Sequence, residues 1–195
     1  MATKIYQCMQ KISDAIVENK DFLTDLDREI GDADHGVNMA RGFTEVMKQL
    51  PEDEEDYEVG GASGPLYGTA YMKAGAAVKG KTSITLEDAK AMLTEVIGGI
   101  KMRGKAVKGE KTMLDALEPA LDALTKGIEN GDDAETCLNA MCEAAREGVE
   151  FTKTIRATKG RASYLGDRSI GHQDPGATSA TITLEAIRDF YLENK

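Results

Sequence analysis

The chain has 195 residues, 41% of them hydrophobic and 30% charged, and its formal charge is −10. That length supports one domain over residues 1–195 with a sizeable core, and is short for two. The acidic balance excludes nucleic acid or an anionic membrane as the main partner, and an anionic ligand such as a nucleotide then requires divalent metal between its phosphates and the protein's carboxylates.

Apolar residues recur at helical spacing almost throughout. Ile5, Met9, Ile12 and Ile16 mark a first helix. Asp27 falls at the end of another, because Gly31 interrupts the pattern; Asp32 and Asp34 then lie in the turn into the next helix, whose first turn is His35 to Asn38. Phe43, Val46, Met47 and Leu50 form its stripe. Residues 51–58, PEDEEDYE, read as a solvated acidic linker and residues 60–68, GGASGPLYG, as a glycine-rich loop. TAYMKAGAA reads as helix. Thr85, with Asp88 three residues on, opens a stripe through Leu86, Ala89, Leu93, Val96 and Ile100 as an approximate capping box.

Residues 103–112, RGKAVKGEKT, form a second polar connector. Leu114, Leu117, Leu121, Leu124 and Ile128 follow and stop near Asn130-Gly131. Leu138, Met141, Ala145, Val149 and Ile155 make the next stripe. Residues 159–178, KGRASYLGDRSIGHQDPGAT, are far longer than the ~2–8 residues that join helices in a bundle. Asp174-Pro175 reads as a helix start, and Ile182, Ala186 and Phe190 close the chain. With no strand of period two, no Trp and 5% aromatic residues, the fold expected is an all-α antiparallel bundle or barrel. Cys8, Cys137 and Cys142 sit in helical patterns as free thiols. No run reaches membrane length and MATKIYQC lacks a signal-peptide core, so a cytoplasmic protein is expected.

Asp27, Asp32 and Asp34 are the chemical centre of this pattern. Three carboxylates gathered at one turn repel one another unless cations neutralise them, and hard oxygen donors with room for water and phosphate describe a magnesium site. The free amides opening the following helix suit a phosphate. Taken singly, Asp34 is also a candidate N-cap and His35 a candidate structural histidine. An EF-hand is excluded, since Phe43 stands where its closing Glu is needed. Residues 75–82, GAAVKGKT, satisfy the Walker A pattern but follow a helix rather than a strand, so that match is read as accidental. Ser63 in its glycine-rich loop is a second phosphate candidate, and Arg161 can pair with phosphate.

Together the motifs LDREIGDADHGVNMARGF, GGASGPLYGTA, GKAVKGEKTM and KGRASYLGDRSIGHQDPGATS resemble the nucleotide-binding L subunits of bacterial dihydroxyacetone kinase. The resemblance implies an antiparallel helical barrel of about seven to eight helices with the nucleotide at one end. It implies that Asp27, Asp32 and Asp34 hold two Mg2+ ions, and that His35, Gly36, Val37, Asn38, Ala62, Ser63, Gly104, Met113, Arg161, Asp174, Pro175 and Gly176 contact the nucleotide. Met113 would otherwise be read as core. The resemblance also implies that ADP is retained as a coenzyme and recharged by a phosphohistidine on an M subunit. The resulting ATP phosphorylates dihydroxyacetone on a K subunit, and a homodimer is compatible with the pattern. No general base is assigned. One departure is visible: between Leu50 and Gly60 the family usually carries a further amphipathic helix, and here there is only the acidic stretch. Two other classes would use the same aspartates: a magnesium-dependent phosphohydrolase of a small phosphate ester, which needs a water-activating base, and a nucleotide sensor without turnover.

Overall fold

The computed structural model describes residues 3–50 and 64–195. Among them are eight α-helices and one 3-10 segment, with no strand. The helices are α1 (Lys4–Glu18), α2 (Lys20–Ile30), α3 (His35–Gln49), α4 (Gly64–Ala77), α5 (Leu86–Gly104), α6 (Leu114–Asn130), α7 (Ala134–Thr152) and α8 (Pro175–Glu193), and the 3-10 segment is Arg161–Ser169. The expected all-α architecture is what the described residues adopt. Ala62, Ser63 and the acidic stretch 51–58 lie outside the described residues.

Helix boundaries follow local chemistry. The Thr85 hydroxyl accepts from Asp88 N while the Asp88 carboxylate accepts from Thr85 N, the reciprocal capping box that opens α5. Asp133 opens α7 and Asp174 opens α8 by accepting from the amides of Thr136 and Ala177. Gly131 closes α6 at φ +78°. The Walker-like segment is the end of α4 and its turn: Lys81 pairs with the Asp88 carboxylate and so supports the α5 cap. Ile155, placed in the α7 stripe by its spacing, lies beyond the helix end at Thr152, because the chain turns through residues 153–155.

The inward stripes form one core, including Ile12, Ile16, Leu23, Phe43, Leu114, Leu124, Cys137 and Cys142. α6 packs on α7, α7 on α8, α8 on α1, α1 and α2 on α3, and α4 on α5, which meets α6. Close approaches are made where side chains are absent. Pro119 inside α6 cannot donate to the Asp115 carbonyl, and α7 comes so near that carbonyl that a Cβ on Gly148 would stand 2.1 Å from it. α3 and α4 differ from the other neighbours. Phe43 meets Tyr71 edge-on at 5.7 Å, and beyond that contact the two helices line opposite sides of a cavity. Cys8, Cys137 and Cys142 are free, as the sequence indicates. Burial pushes the Cys8 and Cys142 thiols up to about 11, so they stay protonated. No described helix is long and apolar enough to cross a membrane.

Candidate functional site

The site is built around the turn between α2 and α3. Asp27 sits one turn before the end of α2, and its Oδ2 accepts from Asp34 N at 2.9 Å and His35 N at 3.1 Å. A carboxylate receiving two amides is a charge-assisted arrangement, each bond contributing ~1.5–3 kcal/mol. Asp27 Oδ2 therefore caps α3 from seven residues away, and Asp34, at the N-cap position, makes no side-chain capping bond. Ala33 takes φ +59°, a left-handed residue between Asp32 and Asp34 that turns the chain sharply. Each of Asp27, Asp32 and Asp34 then offers a carboxylate oxygen, all within 4.8 Å of one another.

This donor set fits a hard divalent cation. Asp27 is buried and its Oδ1 makes no hydrogen bond among the described contacts. A Cβ on Gly31 would stand 2.0 Å from that oxygen, so glycine is what leaves room beside it. Asp32 and Asp34 are accessible, as a site shared with water and phosphate requires. Arg161, at the start of the 3-10 segment, places its guanidinium 2.9 Å from Asp32 Oδ2 and so borders the carboxylates.

A cavity of about 650 Å³ opens beside Asp34, within the ~300–1,000 Å³ range of small-molecule sites. Its walls include His35, Asn38, Met39, Leu66, Tyr67 and Met113. Met113 is thus both core and cavity wall, being 8% exposed at the N-cap position of α6. Gly104 lies behind this wall, a Cβ there standing 3.4 Å from Leu66 Cδ2. Gly176 lies beside Met113, with 3.7 Å from its would-be Cβ to Met113 N. Gly36 has a different local reason: a Cβ would stand 2.0 Å from the Lys20 carbonyl, so the glycine allows α3 to cross the start of α2. Val37 is exposed beside it. Pro175 is buried at the first position of α8. The structure therefore gathers Asp34, His35, Asn38, Met113, Gly104 and Gly176 at or behind the cavity, and Arg161 at the carboxylates.

His35 is held from behind. Its Nε2 lies 2.9 Å from Ser179 Oγ, and the Tyr67 hydroxyl 2.7 Å from the same oxygen. Ser179 Oγ also lies 3.1 Å from the Gly176 carbonyl, so the His35 ring and the Tyr67 hydroxyl meet on one hydroxyl anchored within α8. Burial lowers the His35 pKa, against the opposing pull of Asp27 and Asp34. Burial raises that of Tyr67.

The residues that sequence reasoning missed lie one layer deeper. Lys111 is 2% exposed, and its ammonium donates to the carbonyls of Thr152 and His172, with that of Ile155 at 3.4 Å. Burial lowers its pKa, opposed by Asp174 and Asp115. Asp115, fully buried, accepts from the amides of Thr112 at 2.8 Å and of Gly109. These bonds fasten residues 109–112 to the ends of α7 and the following loop. Asp174, which the sequence did single out, is also buried, and desolvation pushes its carboxyl up to about 7 despite the Ala177 amide and Lys111. The sequence offered a signal for Lys111 only as part of a polar connector; nothing local distinguished it from exposed lysines nearby.

Comparison with known proteins gives the family. The DAK2 domain model matches residues 56–189. The chain is 41% identical over 199 residues to the ADP-binding subunit DhaL of Escherichia coli PEP-dependent dihydroxyacetone kinase, covering 95% of each. It is 42% identical over 193 residues to a DhaL subunit of Listeria innocua, covering 92% of this chain and 91% of that one. The alignment with the Escherichia coli protein is longer than the 195 residues of this entire chain, so that relative carries residues this one lacks. The crystal structure of the C. freundii dihydroxyacetone kinase with AMP-PNP and Mg2+ shares the fold, with a TM-score of 0.66 and 24% identity over 97% of this chain and 34% of that one. The chain belongs to the DAK2-domain family and, within it, to the DhaL subunits whose length it matches almost throughout.

Proposed function

We propose that this chain is the ADP-binding subunit of a phosphoenolpyruvate-dependent dihydroxyacetone kinase, acting as a single nucleotide-binding domain over residues 1–195. ADP stays bound as a coenzyme, a phosphohistidine on an M subunit recharges it, and the ATP formed phosphorylates dihydroxyacetone on a K subunit. The carrying observation is the carboxylate triad Asp27, Asp32 and Asp34 at the start of α3 beside an open cavity, in a chain 41% identical to a DhaL subunit.

Two Mg2+ ions held by the triad supply neutralisation of the phosphate charge. The chain's own residues position the rest. Asp27 fixes the start of α3 by taking the Asp34 and His35 amides, and the Gly36 and Val37 amides, ahead of the first helical bond from Asn38 N to the Asp34 carbonyl at 2.8 Å, are left to an anion. Arg161 stands at the carboxylates, where its planar fork suits a phosphate oxygen. Met39, Leu66, Tyr67 and Met113 give the cavity an apolar wall suited to a purine. Transfer through a loose transition state needs positioning and charge neutralisation rather than a protein nucleophile, so no general base is assigned.

Native mass spectrometry before and after EDTA tests this. The expected mass excess corresponds to ADP plus two magnesium ions and is lost with chelator. A bare chain that also fails to bind added Mg-ADP refutes the reading.

A further inference from the structure

The charge of this protein is unevenly placed. Residues 101–111 and 153–171 contain ten of its 24 Lys and Arg residues, and only Glu110 and Asp167 of its 34 acidic ones. The two stretches lie side by side. Thr158 N donates to the Glu110 carbonyl at 3.3 Å and its hydroxyl to the Glu110 carboxylate at 3.0 Å. On the other flank, Ala157 N donates to Ser169 Oγ at 2.9 Å and Gly171 N to the Lys153 carbonyl at 2.7 Å. The 3-10 segment continues this face to Arg161 and hence to Asp32. A basic face therefore borders the carboxylate triad of a strongly acidic protein.

Six of these ten cations are engaged internally, Lys101, Lys153, Arg156, Lys159 and Arg161 in ion pairs and Lys111 with carbonyls, and four are left over. Arg103, Lys105, Lys108 and Arg168 are exposed and make no ion pair among the described residues. Apolar side chains stand among them: Tyr164 is 88% exposed, Met102 68% and Val107 58%. Tyr and Arg together are the side chains that anchor protein interfaces. A free nucleotide gives no reason for exposed Tyr164, Met102 and Val107 on the outer surface, and a protein partner does.

We propose that this face docks the phosphohistidine-bearing donor protein. The inference rests on the functional reading above and adds the surface that serves it. In the transfer the phosphorus–nitrogen bond to imidazole breaks, its electron pair stays on the nitrogen, and a terminal phosphate oxygen of ADP forms the new bond to phosphorus. The imidazole then takes up a proton. Donor and acceptor are both anionic and meet beside three carboxylates, so their approach is repulsive unless cations surround the meeting point. Dihydroxyacetone, the final acceptor, is neutral and makes no such demand. The complementary donor surface is acidic around an apolar patch that receives Tyr164.

The test compares wild type with R103E/K108E/R168E and, separately, Tyr164→Ala. All are loaded with Mg-ADP and assayed against the purified phosphohistidine subunit of the kinase system, charged with phosphoenolpyruvate. In the triple variant the KM for the charged donor rises about tenfold or more with kcat within about twofold, and its dependence on ionic strength flattens. Tyr164→Ala raises the same KM without changing the salt dependence. Calorimetric Mg-ADP affinity, and phosphorylation of dihydroxyacetone on the K subunit from preloaded ATP, stay within about twofold of wild type. An unchanged donor KM overturns the proposal. A fall confined to the dihydroxyacetone step gives the face to the acceptor subunit, and a fall in Mg-ADP affinity makes it a nucleotide-steering surface; either overturns it too. A wild-type protein that binds no Mg-ADP, or takes no phosphoryl group from the charged donor, sinks the functional reading itself.

Discussion

The starts of α3 and α5 carry the same kinds of residue and use them in opposite ways. At α5 the N-cap Thr85 and the third helical residue Asp88 satisfy each other's amides, and the Asp88 carboxyl is held down to about 2, first by Lys81 and then by the Thr85 amide and hydroxyl. The Thr85 and Asp88 side chains are thus occupied by their own helix end and by Lys81 just before it. At α3 the side chain of the N-cap residue Asp34 bonds nothing in its helix, and capping is delegated to Asp27 on the preceding helix. The delegation leaves the Asp34 carboxylate facing outward. A helix start that stabilises itself is structural; one whose carboxylates are left over is available for a ligand.

The largest effect that sharpens this contrast is at the spare carboxylates. Asp32→Ala or Asp34→Ala should lower Mg-ADP affinity by about a hundredfold or more, about 2.7 kcal/mol, measured by calorimetry. Thermal stability without ligand should stay within about 0.5 kcal/mol, since neither side chain caps a helix. Intact affinity in either variant would remove the metal assignment. Next comes a pair of glycines. Gly31→Ala meets Asp27 Oδ1 at 2.0 Å and Gly148→Ala meets the Asp115 carbonyl at 2.1 Å, so both should destabilise by about 1–3 kcal/mol. Denaturant curves and nucleotide titrations together separate them. The first should also lose Mg-ADP binding; the second, measured well below its melting point, should keep it.

Smaller effects follow. Thr85→Ala should cost about 1 kcal/mol in chemical denaturation and leave nucleotide affinity unchanged. Asp174 yields a pH signature. Its carboxyl sits at about 7 in the folded chain against an ordinary 3.8, so between those values the folded state binds more protons than the unfolded one. Its contribution is fully present below pH 3.8, declines as pH rises to about 7 and is level above. Asp174→Asn retains an acceptor for the Ala177 amide and should flatten that decline in EDTA-treated, nucleotide-free protein. A wild-type slope that survives the substitution places the titration elsewhere.

Much of the α2–α3 turn was legible in the sequence, because its logic is local. Gly31 breaks the helical pattern, Asp32 and Asp34 follow at once, and the helix start at His35 needs no distant information. The same holds for Thr85 with Asp88 and for Asp174 with Pro175. Illegible were features made across the chain. The Ser179 contact with His35 spans 144 residues and that with Tyr67 spans 112, so neither leaves a trace in any window of sequence. The 3-10 segment was hidden inside a long polar loop, its kink at Gly166 having no hydrophobic period to announce it. Ile155 shows the converse: its spacing continued the α7 stripe, but the helix had already ended.

Lys111 bears on the order in which the molecule assembles. It adopts φ +61°, a conformation that costs a non-glycine residue roughly 1–2 kcal/mol, and is compensated only when carbonyls 41 and 61 residues further along are in place. Before α7 and the loop at His172 have docked, its ammonium has no reason to leave water. The loop between α5 and α6 therefore sets late, after the distant closures that folding finds slowest. The cavity wall at Met113 is completed only with that closure, so a half-folded chain presents its aspartates without the pocket they serve.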